Sequence, residues 1–405
     1  MIGVIADDLT GAAEIGAVGL RHGLSAEIIH AASGTGRGLE FRVHAAGAGK
    51  PAEAGTSIKS RSAGLICINT DSRSCSPAVA GRRAAAAARA LAAAGAEWIY
   101  KKTDSVLRGP VVAELEAILK QLELELALLL PANPSSGRTI RGGRYCIRGR
   151  PIHETDFARD PEHPRRSSEV RALLGKPRRS AIHVCPVRAA LPASGIALAE
   201  AATAGEVRHW AARRTAGLLP AGGAEYFAAL LAATGHTAAV RGKKSAVARK
   251  GRELFVSGSA SESARQFVEA NRRRGVPVFG LPAGAALTPA FIRNRVREIS
   301  AAFRSQLRII LNVGLPPVRS KPAAARLTVH LARIAAAVQR QVEVSRLFAE
   351  GGATAMELIR QTGWERLKVQ REEAPGVATL AVEGSNTLLT IKPGSYAWPA
   401  SIRAT

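Results

Sequence analysis

Apolar residues in this chain come in short runs, each followed by a stretch whose small and apolar residues recur at helical spacing. In the first half the runs at 2–6, 26–30, 64–68, 97–101 and 126–130 read as strands. Between them, 10–22 (ended by Gly23) and the alanine-rich 78–94 read as helices. Residues 110–124 place Leu115, Ile118, Leu119 and Leu122 at i, i+3, i+4 and i+7, an amphipathic helix with Pro110 suited to its first turn. Two stretches break the rhythm: a glycine-rich loop or irregular excursion at 33–56, and a long polar, basic segment at 133–180 read as a functional or mobile loop. After an alanine- and glycine-rich junction at 205–250 the alternation resumes, with strands at 252–256, 276–280 and 307–313 and helices at 260–273 and 289–303. A helix at 353–361 and a hairpin in "GVATLAVEGSNTLLTIKPGSY" close the chain. The pattern predicts two α/β domains, over 1–225 and 245–405, with largely parallel sheets flanked by helices and a cleft between them.

Length agrees with that division, since 405 residues exceed one compact core. No apolar run approaches the ~20 residues of a membrane helix, and "MIGVIADD" reads as a first strand rather than a leader. A cytoplasmic protein is the expectation. Cys67, Cys75, Cys146 and Cys185 form no CxxC and have no histidine at zinc spacing, so they read as reduced structural thiols, with no metal site. The net charge of +25, from 57 basic and 32 acidic residues, would draw any anion to the surface. The basic residues are dispersed, however, with only four Tyr and four Trp, whereas a single-strand binder interleaves stacking aromatics. Nucleic-acid binding is therefore the weakest reading; it predicts steep salt dependence.

Charged residues gather where the strands end. "VIADDLTG" delivers Asp7 and Asp8 from a strand into a helix; one of them suits an N-cap, and the pair together asks for a ligand. "NTDSR" (Asn69 to Arg73) follows the next apolar run but one, and "KKTDSVLRGP" sets Lys101, Lys102, Asp104, Ser105, Arg108 and Gly109 after another. In a parallel sheet these ends share a rim, where Lys and Arg can hold a carboxylate and Asp can receive hydroxyls. The segment from Pro131 to Pro164 adds Arg138, Arg141, His153, Glu154, Asp156, Asp160 and His163, its histidines read as scaffold. In the second half, "FVSGSASESARQ" offers a capping box from Ser259 to Glu262, and "EGGATAMELIR" and "KPGSYAWP" are further glycine turns. Such turns bring backbone N–H groups close to phosphate. There is no GxxxxGK[ST], so a P-loop is excluded.

These motifs, in this order, resemble the four-carbon acid sugar kinase family, which includes threonate and erythronate kinases, over nearly the whole chain. "IADDLTGAAEI", "NTDSR", "YKKTDSVLRG" and "LPANPSSGRTIRGGRYCIRGRPIHETDFARDPEHP" resemble its acid-sugar domain; "VSGSASESARQ", "EGGATA" and "KPGSY" resemble its nucleotide domain. The resemblance implies that Asp7, Asp8, Arg73, Lys102, Asp104 and Ser105, with Arg108 beside them, hold the sugar acid. It implies that Ser257, Gly351, Gly352, Ala353, Thr354 and Gly394 contact ATP; Gly258 and Ser259 are expected to join them, with Mg²⁺ bridging the phosphates. The reaction so implied is transfer of the γ-phosphoryl group to a terminal hydroxyl of the sugar acid; for it, Asp8 or Asp104 is expected as base, with Lys102 and Arg73 fixing the carboxylate and hydroxyls. Turns reading "GGATA" and "KPGSYAWP" depart from the GG[DE]T and SGNFG types of other members. An isomerase or epimerase using the same acid-sugar site is the alternative, and a homodimer is left open.

Overall fold

The computed structural model describes residues 1–30, 63–160, 163–238, 251–282, 287–314, 321–394 and 396–403. The glycine-rich stretch expected as a loop at 33–56 and the basic "RGKKSAVARK" lie outside them. The chain divides into two compact units, Met1–Gly242 and Lys243–Thr405.

In the first unit the strands are β1 (Ile2–Ala6), β2 (Ala26–His30), β3 (Leu65–Asn69), β4 (Trp98–Lys102) and β5 (Leu126–Leu130), each within one residue of its expected place. Three short strands follow, β6 (Arg138–Arg141), β7 (Arg144–Ile147) and β8 (Arg150–Pro151), then β9 (Ile182–Cys185), β10 (Gly195–Ala199) and β11 (Leu218–Gly222). Eight of them form a parallel sheet in the order β2-β3-β1-β4-β11-β5-β10-β9. Its six central strands are buried along their whole length, because helices cover both faces. The helices of this unit are α1 (Leu9–Arg21), α2 (Pro77–Ala93), α3 (Val111–Leu122), α4 (Val170–Leu174), α5 (Ala204–Ala211) and α6 (Ala224–Ala233). On α2 the buried residues Ala80, Ala84, Ala87, Ala88 and Leu91 form one stripe. Its Gly81 lies so near α3 that a Cβ would sit 3.2 Å from the Ala113 carbonyl. Small residues, rather than bulky ones, let this helix pair approach. Because α6 belongs to this unit, it continues past residue 225.

The segment 133–180, expected as a loop, is ordered instead. Strands β6, β7 and β8 make an antiparallel ribbon of their own, turned at Gly142–Gly143, where both φ values are positive (56° and 71°). That is the two-residue hairpin turn glycine permits. Ile140 and Tyr145 face each other in register, both buried.

The second unit contains β12 (Glu253–Ser257), β13 (Val278–Leu281), β14 (Arg308–Val313), β15 (Arg346–Glu350), β16 (Arg366–Ala374), β17 (Val377–Val382) and β18 (Leu388–Lys392). They run in the order β13-β14-β12-β15-β18-β17-β16, the first five parallel, β17 antiparallel to β18 and β16 antiparallel to β17. The expected hairpin is β17–β18, to which β16 adds a third strand. Helices α7 (Glu262–Arg273), α8 (Pro289–Ala302), α9 (Lys321–Gln341), α10 (Gly352–Thr362) and α11 (Ala400–Arg403) complete it. Its core stacks Phe255 on Phe348 at 4.1 Å, with Trp398 edge-on to both. The helix expected to start near 260 begins at Glu262. Its N-cap is Ser261, which accepts from Ala264 N; the capping box proposed from Ser259 is not formed.

Candidate active site

Strands β3, β1 and β4 are neighbours, and register sets Asn69, Ala6 and Lys102 side by side. The residues that follow all emerge on the carboxyl rim of one parallel sheet, where open α/β folds bind ligands. Asp8 caps α1 by accepting the Gly11 N–H at 2.8 Å. Gly11 is required there, since a Cβ would fall 2.7 Å from Asp8 Oδ1 and against the Lys102 chain.

Arg73 reaches across from the β3 turn. Its Nε donates to Asp7 Oδ2 at 2.7 Å and its Nη2 to Asp7 Oδ1 at 3.2 Å, while Nη1 donates to Asp8 Oδ2 at 2.8 Å and lies 3.7 Å from Asp104 Oδ1. Most of the guanidinium fork is thus taken up by protein carboxylates. Lys102 Nζ lies 3.1 Å from Glu14 Oε2 and donates to the Thr103 carbonyl at 3.1 Å. Asp104 receives the backbone N–H groups of Val106 and Arg108 and the Arg108 side chain, which donates to Oδ2 at 3.0 Å and Oδ1 at 2.8 Å. Leu107, between those two donors, has φ +62°, an uncommon conformation for a bulky residue. Arg138 donates to Ser105 Oγ and the Tyr145 hydroxyl to the Ser105 carbonyl, so the β6–β7 ribbon braces this turn.

The electrostatics separate the three aspartates. Burial raises all three, and what opposes it decides the outcome. For Asp104 the neighbouring Arg73 and Arg108 prevail and hold the carboxyl far below the usual range. Asp7, against Arg73 and Lys101, is also lowered. Asp8 is raised, because desolvation and the adjacent Asp7 charge outweigh Arg73 and Lys102. Below the rim, buried Lys101 pairs with Glu114 at 3.0 Å, and Ser72 donates to the same carboxylate.

In the second unit Ser257, Glu350 and Lys392 end three adjacent parallel strands at one level. Lys392 Nζ donates to Glu350 Oε1, and Ser257 Oγ donates to Glu350 Oε2 at 2.6 Å, all three residues being buried. The turns beyond them pack together. Thr354 Oγ1 stands where a Cβ on Gly258 would be, and Ser259 Oγ donates to the Gly394 carbonyl at 3.0 Å. Helix α10 starts at Gly352 behind Gly351, whose φ is +101°, and no side chain caps it. The first-turn N–H groups of Gly352, Ala353 and Thr354 are the kind of donors that hold phosphate. Gly258 lies in the β12–α7 turn, not at a helix start, and the Ser257 hydroxyl faces Glu350. Beside Ser259 opens a cavity of about 460 Å³, lined by Ala260, Ala264, Val268, Gly280, Asn312 and Val313 among others.

Sequence reasoning missed Glu14, Glu114, Arg165, Glu350 and Lys392. Arg165 donates to the Leu107 carbonyl at 3.3 Å. Only Glu14 gave a signal, two helical turns after Asp7. Asp160 does join the site, accepting from Arg108 at 3.1 Å, whereas Arg141 pairs with Glu206 and His153 lies 3.9 Å from its neighbour Glu154. Among the described residues no group of three or more His, Cys, Asp or Glu could hold a metal ion, and no helix is long and apolar enough to cross a membrane.

Known proteins resemble the chain in both halves. The family model of the sugar-binding N-terminal domain matches residues 2–264, and that of the nucleotide-binding C-terminal domain matches 254–396. A D-threonate kinase of Bordetella bronchiseptica is 33% identical over 175 residues, 43% of this chain and 39% of that protein. A D-erythronate kinase of Heliobacterium modesticaldum is 35% identical over 131 residues, 32% and 30% of the two chains. The chain thus matches well under half the length of these two relatives. A 3-oxo-tetronate kinase of Actinobacillus succinogenes aligns over 98% of this chain and 96% of its own, at 24% identity. Among solved structures, a Salmonella typhimurium protein shares the fold with a TM-score of 0.75 at 19% identity, covering all of this chain and 98% of its own. A Haemophilus influenzae protein does so at 0.69 and 21%, covering 98% and 97%. With the sugar-binding model covering well over half its length, the chain belongs to the four-carbon acid sugar kinase family.

Proposed function

We propose that this chain is an ATP-dependent kinase that phosphorylates a hydroxyl of a small sugar acid of the threonate or erythronate type. The observation that carries the reading is the convergence of Asp7, Asp8, Arg73, Lys102 and Asp104 on adjacent parallel strand ends. Lys102 and the remaining Arg73 N–H face the carboxylate of the acid; Asp7 and Ser105 take its hydroxyls. Asp8 is the base. Its carboxyl is shifted upward, toward the pH at which it must collect a proton, whereas Asp104 is held down by two arginines and two backbone N–H groups and is a poor acceptor. Asp104 and Arg108 instead hold Arg73 and the Ser105 turn.

ATP would lie on the second unit, its phosphates on the N–H groups of Gly352, Ala353, Thr354 and Gly394, since those of Gly258 and Gly351 donate to the Glu350 and Lys392 carbonyls, and its base in the cavity beside Ser259. Among the described residues, the buried carboxylate at these turns, Glu350, is committed to Lys392 and Ser257, so a Mg²⁺ ion would come with ATP rather than to a protein carboxylate and would supply charge neutralisation there. Phosphoryl transfer demands placement and charge neutralisation more than covalent help, and side chains and backbone N–H groups of these kinds serve that need. An ATP-fed reaction fits a cytoplasmic setting.

The test is an ADP-release screen over C4 to C6 sugar acids, with mass spectrometry of the product. Release dependent on one acid, with phosphate on its hydroxyl, is the expected result. Conversion of an acid without ADP release would make the protein an isomerase or epimerase instead, and no acid-dependent release would end the kinase reading.

A further inference from the structure

A lysine after a strand and before a glycine turn, as in "KPGSY", is the residue type expected to meet phosphate as a point charge. Lys392 does not do so. Its side chain is 0% exposed and that of its partner Glu350 2%. The ammonium has three hydrogens and all have acceptors: Glu350 Oε1, the Tyr396 carbonyl at 2.6 Å and the Pro393 carbonyl at 3.2 Å. The Trp398 ring lies 5.1 Å beneath it.

Those acceptors determine how the turn is presented. The peptide between Pro393 and Gly394 is planar, so drawing the Pro393 carbonyl inward to Nζ sends the Gly394 N–H the opposite way. On its other side, the Gly394 carbonyl is held by Ser259 Oγ at 3.0 Å and Ser261 Oγ at 2.7 Å. Both carbonyls that flank the Gly394 N–H are therefore tied down, and no described residue accepts from that N–H. Glu350 completes the brace: its carboxylate also receives Ser257, while its backbone carbonyl receives the Gly258 N–H at 3.2 Å, and the Lys392 carbonyl receives the Gly351 N–H at 3.0 Å.

We propose that Lys392, braced by Glu350, is a positioning residue that aims the Gly394 N–H at the phosphates of the nucleotide, without touching the nucleotide itself. The proposal rests on the nucleotide reading above and names how that site distinguishes a phosphorylated ligand from a bare nucleoside.

Calorimetric titration of the whole chain with ADP and with adenosine tests it. Lys392→Met should weaken ADP at least tenfold while leaving adenosine within twofold. Because Lys392→Met strands a buried carboxylate, the double variant Lys392→Met/Glu350→Leu removes both charges; its thermal midpoint should return toward wild type while ADP affinity stays low. Parallel weakening of ADP and adenosine, or recovery of ADP affinity along with stability in the double variant, would overturn the positioning role and leave the kinase reading standing. A wild-type chain that binds neither ligand would overturn both.

Discussion

The two strand-end neighbourhoods stand on matching foundations and present opposite chemistry. Beneath each lies a buried lysine, glutamate and serine: Lys101, Glu114 and Ser72 in the first unit, Lys392, Glu350 and Ser257 in the second. Above the first stand ionisable side chains with fixed directions, Asp7, Asp8, Arg73, Lys102 and Asp104. Above the second stand glycines, small hydroxyls and an uncapped helix start. Side chains can tell one hydroxyl or carboxylate arrangement from another; backbone N–H groups recognise a phosphate chain and little else. On the proposed kinase reading, the contrast would place selectivity for the acceptor in the first unit and leave the donor site generic.

The sharpest way to break this contrast is to remove the cation that organises the first site. Arg73→Met leaves Asp7, Asp8 and Asp104 without their shared counter-charge and should cost about 3–5 kcal/mol in denaturant unfolding; a loss below ~1 kcal/mol would mean the aspartates do not depend on it. Next in size is Asp8→Asn. Asparagine caps a helix as well as aspartate does, so folding should be preserved while kcat falls roughly 100-fold, the usual worth of a general base. ADP affinity, read separately, should not change. Gly258→Ala tests the other side. Its Cβ would displace Thr354 and the start of α10, an overpacking of about 1–3 kcal/mol, lowering ADP affinity about tenfold with sugar-acid binding intact.

The smallest effect is a pH dependence. Asp104 is lowered in the folded chain, so below about pH 4, its unfolded value, the unfolded chain binds the extra proton and stability declines with acidification. The decline attributable to one such group is at most ~1.4 kcal/mol per pH unit. Asp104→Asn should flatten the stability–pH curve in that range by a corresponding amount, measured by urea unfolding between pH 5 and 2.

Much of this was legible because strands buried on both faces leave uninterrupted apolar runs, and their charged ends mark where backbone leaves the sheet. The ends of β1, β3 and β4 could be read that way, and the parallel order then put them together. The ribbon β6–β8 could not. Its strands are two to four residues long, only Ile140 and Tyr145 of its paired residues are deeply buried, and the sole cue was Gly142–Gly143 between short β-prone stretches. Charge partners were also hidden: Glu114 looks like one more acid on an amphipathic helix, and only tertiary packing brings it to Lys101. Nothing in "KPGSY" discloses that its lysine turns inward, since that depends on a carboxylate 42 positions away.

The ion pairs of the first site join residues far apart along the chain, 66 positions between Asp7 and Arg73, and the Ser257–Glu350 contact spans 93. Closing such distances carries an entropic penalty that local contacts cannot repay early, so neither arrangement exists before parallel pairing is complete. During refolding, affinity for either ligand should therefore emerge in a single late step, and ligand capture becomes a clock for the last ordering event in each half of the molecule.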